Sequence, residues 1–451
     1  MYGDWSAETR SENAEVIVKN YYEKSAELLE VLGRSSQNFG LVTSRLEVFK
    51  TMAQFADAQY KKVQEYIKSS AYEKKIQCMA KSRQMAHTLN DQKRAGIDIN
   101  QDERMALRIY DQQSKIDKAE IENTEAEREM YLGWAIRYYM QCLQEGSDTE
   151  DLLVFRVASL WLENTGPSPD LNITALSTRN TKFIQLVNQG LKNIAAYKFL
   201  PVLPQLAPRL ADDQDNRTLT ELIETCATVH PYHTLPIVMS LAHALQDTDN
   251  KTKDDKAQES RIRAARKLIH KLKSKKNLQN IIIDMEKVSL ALIRFANYAI
   301  NPEMLRKSKK FKLPKSEPIS RLKNLTNTPV PTLELPVVKN GDYKNITTVV
   351  QWDDEFTMVG GINAPKKLIC RGSDGVPRPQ LLKGKDDLRQ DAVMQQVFTI
   401  MNDLLRRDKD CGARKLLIRT YKVVPLSQRS GVIEWCANTV PLGAYLIGED
   451  R

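Results

Sequence analysis

The chain has 451 residues, 41% of them hydrophobic and 27% charged, with a formal net charge of +10, which suits about three globular domains with sizeable cores. Because it holds no run of about eighteen apolar residues and its amino terminus is polar, the sequence predicts neither a transmembrane helix nor a secretory signal. The six cysteines are scattered without a CxxC pair, which argues against a disulfide framework or a zinc site and favours reduced thiols in the nucleus or cytosol.

The first 245 or so residues carry the periodicity of amphipathic helices. A helix with one buried face is predicted after Ser44, where Ser44 and Glu47 match a capping box, as Ser147 and Glu150 also do. Its apolar stripe consists of Leu46, Phe49, Ala53, Ala56, Tyr60, Val63 and Ile67. A similar stripe, predicted to end at Gly33, consists of Ile17, Tyr21, Leu28 and Leu32.

A longer helix is predicted over residues 102–144, with a charged middle and an aromatic carboxyl end. The side chains expected to pack are Tyr131, Ala135, Tyr138 and Cys142. Paired helices without a strict repeat favour an irregular helical array of the tetratricopeptide or HEAT type. Such arrays mostly bind partners and hold shape.

Helical segments continue over residues 198–210 and 230–245, followed by a polar loop over 246–259 and a helix over 277–298. The last helix is expected to turn Ile281, Ile282, Met285, Val288, Leu290 and Leu292 towards a core. His230 and His233 are candidates for a metal pair, but Pro231 separates them and no third ligand follows at a sensible spacing. A structural role for the two histidines is therefore favoured.

Two basic stretches, residues 261–276 and 306–315, carry much of the positive charge. They either meet nucleic acid or another polyanion, or form a solvated helix face and a basic linker. Aromatic residues for base stacking are missing from the first stretch, which favours the second interpretation. Residues 314–343 contain Pro329, Pro331 and Pro336 and are predicted to be extended, which marks a domain boundary.

Beyond this boundary the sequence predicts a sheet of about five or more strands. The strands are predicted in ITTVVQW, EFTMVGG, KKLICRGSDG, PRPQLLKG, KLLIRTYKVVPL and GVIEW, with one helix over residues 388–407. This layout is typical of a kinase small lobe. The predicted fold class is mainly α, a helical-repeat α-solenoid followed by an incomplete α+β kinase small lobe.

Lys383 lies at the end of a predicted strand and is followed by Asp386 and Asp387 at the start of a helix. Alone, this pattern is more often a solvated cap on the helix dipole. Gly360 and Gly361, between two strands, change that balance because they let backbone approach a phosphate, although adjacent glycines in a hairpin are usually just a turn. With the segment around the later Trp435, they favour Lys383 as a phosphate-binding cation.

Other residues complete this predicted nucleotide site. Asp386, or alternatively Asp391, is expected to orient Lys383. Trp435 is expected to form an apolar wall, and backbone groups near Cys436 are expected to face the adenine.

The runs KGKDDLRQDAVMQQVF and TYKVVPLSQRSGVIEWC resemble the small lobe of the phosphatidylinositol 3-kinase-related protein kinases. The runs SSAYEKK, VFRVASLWLENTG, YKFLPVLPQLAPRL and HPYHTL resemble, in the same order, the FAT domain that precedes the kinase in that family. The resemblance covers nearly the whole chain. It implies a FAT-type helical-repeat domain over residues 1–245, a linker over 246–345, and a kinase small lobe with its hinge over 346–451.

By this resemblance, the chain is part of a nuclear serine/threonine kinase, present also in the cytoplasm, that responds to DNA double-strand breaks and phosphorylates Ser or Thr followed by Gln. Its implied cofactor is ATP, and its implied partners are protein substrates, DNA-damage sensor proteins and a second copy joined through the FAT helices, without a membrane. The residue matches assign Lys383 to the ATP phosphates, Asp386 to Lys383, Asp391 to a position behind the pocket, Tyr421 and Trp435 to the adenine walls, and Cys436 to the hinge. The glycine loop matches at Met358, Val359, Gly360, Gly361, Ile362, Asn363 and Ala364.

One departure from the family limits these assignments. After the hinge there is no D-R-H-x-x-N catalytic loop and no D-x-G metal-binding motif, and Asp374 with Gly375 lies in a predicted hairpin before the lysine. The catalytic groups and the Mg or Mn site are therefore expected after Arg451, and the chain alone is predicted not to transfer phosphate. Two alternatives remain, a lipid (phosphoinositide) kinase relative and a non-catalytic helical scaffold whose terminal lobe docks partners.

Overall fold

The computed structural model describes residues 2–35, 39–96, 100–146, 152–165, 173–211, 217–247, 256–360, 363–440 and 442–448. The chain divides into two compact units, Met1–Ile194 and Ala195–Arg451. None of the helices in these ranges combines the length and the apolar character needed to cross a membrane. The domain limits predicted after residues 245 and 345 stay predictions.

All the regular elements in the described part of the first unit are helices. Its α-helices are α1 (Tyr2–Thr9), α2 (Ala14–Val16), α3 (Lys24–Ser35), α4 (Phe39–Ile67), α5 (Ser70–Arg94), α6 (Gln101–Glu145), α7 (Leu153–Glu163) and α8 (Ile173–Lys192), with a π-helical segment, Ile17–Glu23, between α2 and α3. Helix α6 packs against α4, α5, α7 and α8. Its carboxyl end is buried at Ala135, Tyr138 and Cys142, so the predicted long helix that packs at this end is confirmed.

Two predictions for the first unit need correction. Ser44 lies inside α4 and does not cap it, and the capping box predicted at Ser147 and Glu150 lies outside the described residues. The predicted stripe through Leu28 and Leu32 is also wrong, since these side chains are 64% and 51% exposed and α3 continues past Gly33. The physical reason is the π-helical segment, whose wider turn shifts the buried face by one residue. That face consists of Ile17, Val18, Tyr22 and Ala26.

The second unit begins with helices that pack against one another in order. Its α-helices are α9 (Leu203–Leu206), α10 (Arg217–Val229), α11 (Pro231–Ala242), α12 (Lys256–Lys273), α13 (Lys276–Ala296), α14 (Pro302–Lys307), α15 (Arg389–Arg407), α16 (Lys409–Ala413) and α17 (Leu442–Ile447). Its 3-10 helices are Ala196–Val202, Ala207–Arg209 and Pro318–Arg321. The loop predicted over residues 246–259 is too long, because α12 already begins at Lys256. An apolar face that includes Ile262, Leu268 and Leu272 holds α12 in place. The first turn of α12 is polar, so the hydrophobic pattern of the sequence does not show that the helix already begins there.

An antiparallel sheet forms the rest of the second unit. Its strands are β1 (Lys310–Lys312), β2 (Leu325–Pro329), β3 (Thr348–Trp352), β4 (Glu355–Met358), β5 (Lys366–Gly372), β6 (Pro377–Gly384), β7 (Val423–Pro425) and β8 (Ser430–Glu434). The main order is β1-β4-β5-β6-β8-β7, and β3 pairs with both β2 and β5. Strands β1 and β2 lie where the sequence predicted a basic linker and an extended segment. With α15 between β6 and β7, the predicted mainly α fold with an α+β lobe is confirmed.

The core of the second unit lies between α13 and one face of the sheet. Helix α13 packs against β2, β6 and β8. The buried apolar residues on α13 include Val288, Leu292, Phe295 and Ala296, and those on the strands include Val349, Trp352, Leu368, Cys370, Leu382 and Val432. Leu290, which the sequence predicts to face this core, is 39% exposed. The candidate site lies on the opposite face of the sheet.

Candidate nucleotide-binding site

Lys383 lies on β6, a central strand that pairs with β5 on one side and β8 on the other. Because side chains alternate along a strand, the buried Leu382 faces the α13 core and Lys383 faces the other way. The Lys383 Nζ donates to Asp386 Oδ2 at 3.2 Å. Asp386 is placed by a tight turn, in which Lys385 has a φ of 60° and the Asp386 backbone N–H donates to the Arg429 carbonyl at 2.9 Å. Asp386 and Asp391 are the two carboxylates predicted to orient Lys383, and the contact with Lys383 described here is made by Asp386.

Asp387 lies just before α15, whose cap position is Leu388. Asp387 Oδ1 accepts a bond from the Arg389 backbone N–H at 3.1 Å, so this carboxylate satisfies one of the donors at the start of the helix. The Asp387 carboxylate accepts two bonds from the Arg389 guanidinium, at 2.8 and 2.6 Å, and this guanidinium lowers the pKa of Asp387. Asp391 lies in the first turn of α15 and is half-buried.

The predicted glycine loop connects β4 to β5 as a hairpin. At its foot, Met358 pairs with Lys366, and the Val359 N–H donates to the Pro365 carbonyl at 2.9 Å. Gly360 is open, since a Cβ built there would meet no atom within 4 Å, which leaves backbone accessible to a ligand. Ala364 has a φ of 44°, and Asn363 is exposed. Gly361 and Ile362 lie outside the described residues.

The hinge side of the site is formed after β8. The Trp435 backbone N–H donates to the Pro379 carbonyl at 3.1 Å, which ties this segment to β6. The Cys436 carbonyl accepts a bond from the Thr439 hydroxyl at 3.1 Å, and the thiol is free and half-buried. Tyr421 packs on an apolar cluster of Leu388, Val423 and Ile433. Its backbone N–H donates to Gln395 Oε1 of α15 at 3.0 Å.

Lys367 is a site residue that sequence reasoning missed. On β5 it pairs with Leu381, and therefore shares the sheet face of Leu381 and Lys383. Its Nζ lies 4.0 Å from the centroid of the Trp435 ring, a cation–π contact. Only the strand register could have identified it, because the sequence shows two adjacent lysines without indicating which one faces the site.

The face opposite α13 thus carries a fixed cation, an open backbone loop at one end and an aromatic side chain near the hinge. These are the groups that bind a phosphate-bearing aromatic ligand, so the residues fit ATP. Within the described part of the chain, no group of three or more His, Cys, Asp or Glu side chains is placed to hold a metal ion. Asp374 lies in the β5–β6 turn with its carboxylate bound to Arg378, as expected of a hairpin.

The histidine pair also has a structural role. The Tyr343 hydroxyl lies 2.7 Å from His230 Nδ1 and 3.2 Å from His233 Nδ1, while His233 Nε2 lies 3.0 Å from the Leu335 carbonyl. Burial lowers the pKa of His230 to about 4. The two neutral rings therefore hold the segment of Leu335 and Tyr343 against the start of α11.

Comparisons with known proteins agree with this fold and site. Residues 379–451 match the family model described as phosphatidylinositol 3- and 4-kinase. The chain is 37% identical to the serine-protein kinase ATM of Sus scrofa, over 99% of this chain and 14% of that protein. It is 32% identical to the serine/threonine-protein kinase tel1 of Schizosaccharomyces pombe, over 98% of this chain and 15% of that protein.

Two solved structures extend the likeness to three dimensions. The FAT and kinase domain of CtTel1 superposes with a TM-score of 0.73 at 26% identity, over 98% of this chain and 28% of that one. The complete CtTel1 dimer with C2 symmetry gives a TM-score of 0.73 at 26% identity, over 98% of this chain and 15% of that one. The chain spans only 14 to 15% of the length of the curated relatives named above. By sequence and by fold, the chain belongs to the ATM/Tel1 family of serine/threonine protein kinases and corresponds to the region where the FAT helices lead into the kinase small lobe.

Proposed function

We propose that the chain supplies the ATP-binding small lobe of a serine/threonine protein kinase, together with the helices that support it. The observation that carries this proposal is Lys383, held 3.2 Å from Asp386 on a central strand between the glycine hairpin and Trp435. Lys383 binds phosphate oxygens, and the open backbone at Gly360 approaches them. Tyr421 and Trp435 enclose the base, and the backbone at Cys436 bonds to its edge. Asp391 lies behind this pocket.

When bound, ATP supplies the phosphoryl group that is transferred. The contribution of this chain is to position that group and to neutralise its charge, which in phosphoryl transfer is most of what the protein does. The 451 residues contain no D-R-H-x-x-N sequence, so the proton-handling and Mg- or Mn-binding groups come from another part of the kinase. We accordingly expect no steady ATP turnover by the purified 451-residue chain, and measured turnover would contradict this.

A protein kinase is favoured over a lipid kinase for one reason. The matched family model, named for phosphatidylinositol kinases, covers residues 379–451 alone. The relatives named as protein kinases match both this lobe and the helices before it. A purely structural scaffold is disfavoured by the orientation of Lys383 towards a face that the α13 core does not use.

The cellular role is proposed at the level of the family. The resemblance to the phosphatidylinositol 3-kinase-related protein kinases leads us to propose a nuclear kinase, present also in the cytoplasm, that acts in the response to DNA double-strand breaks and phosphorylates Ser or Thr before Gln. Protein substrates and damage-sensor proteins are its proposed partners. A homodimer through the FAT helices is supported by the C2 symmetry of the CtTel1 dimer. No contact with a membrane is proposed.

The substitution Lys383→Met tests the nucleotide site. Loss of a charge-assisted hydrogen bond costs roughly 1.5–3 kcal/mol, so the Kd for ATP is expected to rise about tenfold to a hundredfold. The measurement is ATP titration of the full-length protein by calorimetry. Lys312→Met is the matched control, because it removes a lysine from the exposed edge strand of the same sheet. Equal ATP affinity in the two variants would refute the proposed site.

A further inference from the structure

Lys366 occupies a position where the strand pattern predicts an apolar residue. On β5 it shares the inward face with Leu368 and Cys370, and it is only 3% exposed. Its Nζ donates to the Ala296 carbonyl at 2.8 Å and lies 5.9 Å from the centroid of the Phe295 ring. No carboxylate in the described part of the chain lies within salt-bridge distance of it. Lys366 is therefore a buried cation whose partner is a helix end.

Compared with an apolar side chain, an ammonium buried in this way lowers the free energy of unfolding. Moving a charge out of water costs several kcal/mol unless it is well paired, whereas an apolar side chain of the same length would fill the position without that cost. The end of α13 offsets part of it, because the last carbonyls of a helix lack helical donors and carry partial negative charge. What Lys366 adds over an apolar residue is a fixed distance between the end of α13 and the start of β5.

This distance fixes the position of the Met358–Lys366 pair, from which the glycine loop leaves the sheet. Lys366 is the first residue of β5 and pairs with Met358, the last residue of β4. The loop that begins at Met358 and ends at Ala364 therefore leaves the sheet at the residue pair that Lys366 anchors. On the outer side of the same foot, the Met358 N–H donates to the Lys309 carbonyl at 2.7 Å.

The same helix end also contacts the strand of Lys383. Gly384 follows Lys383, and a Cβ built on it would lie only 2.8 Å from the Ala296 carbonyl oxygen. Gly384 pairs with Ser430 of β8, whose hydroxyl oxygen accepts a bond from Asn297 Nδ2 at 3.2 Å. The end of α13 thus supports the glycine loop, the Lys383 strand and the strand that leads to the hinge.

We propose that Lys366 is a positioning residue for nucleotide binding, which uses its bond to the Ala296 carbonyl to keep the glycine loop and Lys383 in register for a nucleoside triphosphate. This inference rests on the proposed function of the Lys383 site. Lys366 itself does not touch the ligand, because it faces the opposite side of the sheet. Its effect is therefore expected in the affinity for the nucleotide and not in the chemical step.

The test uses the full-length kinase and substitutions that separate the hydrogen bond from the packing. Lys366→Met keeps an unbranched stem and removes the donor, and we expect the KM for ATP to rise about tenfold with kcat changed less than about twofold. Lys366→Gln retains a donor and is expected to recover part of the affinity. Gly384→Ala pushes the same helix end away from the Lys383 strand and is expected to raise the KM as well.

The matched control is Gln380→Met. Gln380 is fully buried in β6 and bonds to Trp352 and Thr332, so this variant removes a polar group from the same core without touching the end of α13. Hydrogen exchange of amides 358–366 should increase in Lys366→Met and not in Gln380→Met. A wild-type KM for ATP in Lys366→Met, or an equal rise in Gln380→Met, would overturn the proposal.

Failure of the positioning role can be distinguished from failure of the nucleotide site. If Lys366→Met does not fold, Gly384→Ala decides, and a wild-type KM for ATP in that variant would overturn the inference. If Lys383→Met binds ATP as tightly as its control, the nucleotide site itself is refuted. A normal KM in Lys366→Met beside weakened binding in Lys383→Met would refute the positioning role alone.

Discussion

The ion pair between Lys383 and Asp386 is partly exposed to solvent, so its effect on stability is small. The two side chains retain 26% and 35% of their exposure, and pairs of this kind contribute about 0–1 kcal/mol. The value of Asp386 therefore lies in orientation, since it keeps the ammonium of Lys383 on the open face of β6. Substitution of Asp386 should disturb ligand affinity more than folding.

Lys366 predicts a specific dependence of stability on pH. Burial, with a smaller contribution from the charge of Lys385, lowers its pKa to about 8 from the ordinary 10.5. Between these values the unfolded chain binds a proton that the folded chain does not, so this group makes the free energy of unfolding rise with pH. Urea unfolding of wild type and Lys366→Met at pH 7 to 10 should show the wild type gaining on the variant. Parallel curves would contradict the prediction.

The sequence predicts some of the individual residue contacts of the nucleotide site. Lys383 and Asp386 are three residues apart around a turn, so their contact follows from local geometry. Lys366 and Lys367 are adjacent, and their opposite roles follow only from the strand register, which turns one to the α13 core and the other to Trp435. Neither composition nor spacing contains that information.

Among the elements, α13 joins the helical part of the second unit to the sheet. Its residue Phe295 is fully buried, and its ring lies 5.6 Å from that of Tyr298 and 5.1 Å from that of Phe356 on β4. Phe356 precedes the glycine loop by two residues. Packing at this helix end is therefore coupled to the position of the loop.

Phe295→Ala is expected to destabilise the second unit strongly. Removing a buried aromatic ring from a packed core typically costs about 3–5 kcal/mol. Chemical denaturation of the full-length protein should show the loss, whereas Leu290→Ala, on the exposed side of the same helix, should cost less than about 1 kcal/mol. Similar losses in both variants would show that α13 does not pack on the sheet as described.

Elements with long periodic patterns are predictable from the sequence, and short or irregular ones are not. Helices α6, α13 and α15 lie close to their predicted bounds. The π-helical segment before α3 has no periodic signal and displaces the face that follows it. Strand β1 has only three residues and forms by pairing with β4, so the sequence alone predicts a linker there.

For the whole molecule, family membership rests on relatives that are much longer than this chain. Two of them are named protein kinases, whereas the matched family model is named for phosphatidylinositol kinases. The choice between a protein substrate and a lipid substrate must therefore be tested with the full-length protein.

Peptides that differ by one residue test the proposed specificity. The full-length kinase should phosphorylate a Ser-Gln peptide with a kcat/KM roughly tenfold or more above that of the matched Ser-Ala peptide, because a site that bonds the glutamine amide loses those bonds. Phosphatidylinositol vesicles should not be phosphorylated in the same assay. Equal rates on the two peptides would reject the Ser/Thr-Gln preference, and a lipid product would favour the lipid kinase alternative.

The short strand β1 has a consequence for solubility. It lies at one edge of the sheet, where unpaired backbone groups can recruit a strand from another molecule and start aggregation. Lys310 and Lys312 are exposed on this strand, with Lys307 and Lys309 just before it. An incoming strand would have to bring its backbone alongside these charged side chains, of which Lys310 pairs with Glu355 of β4 at 2.5 Å. We therefore expect the basic segment to oppose edge-to-edge association of the small lobe, a role that requires neither nucleic acid nor any other ligand.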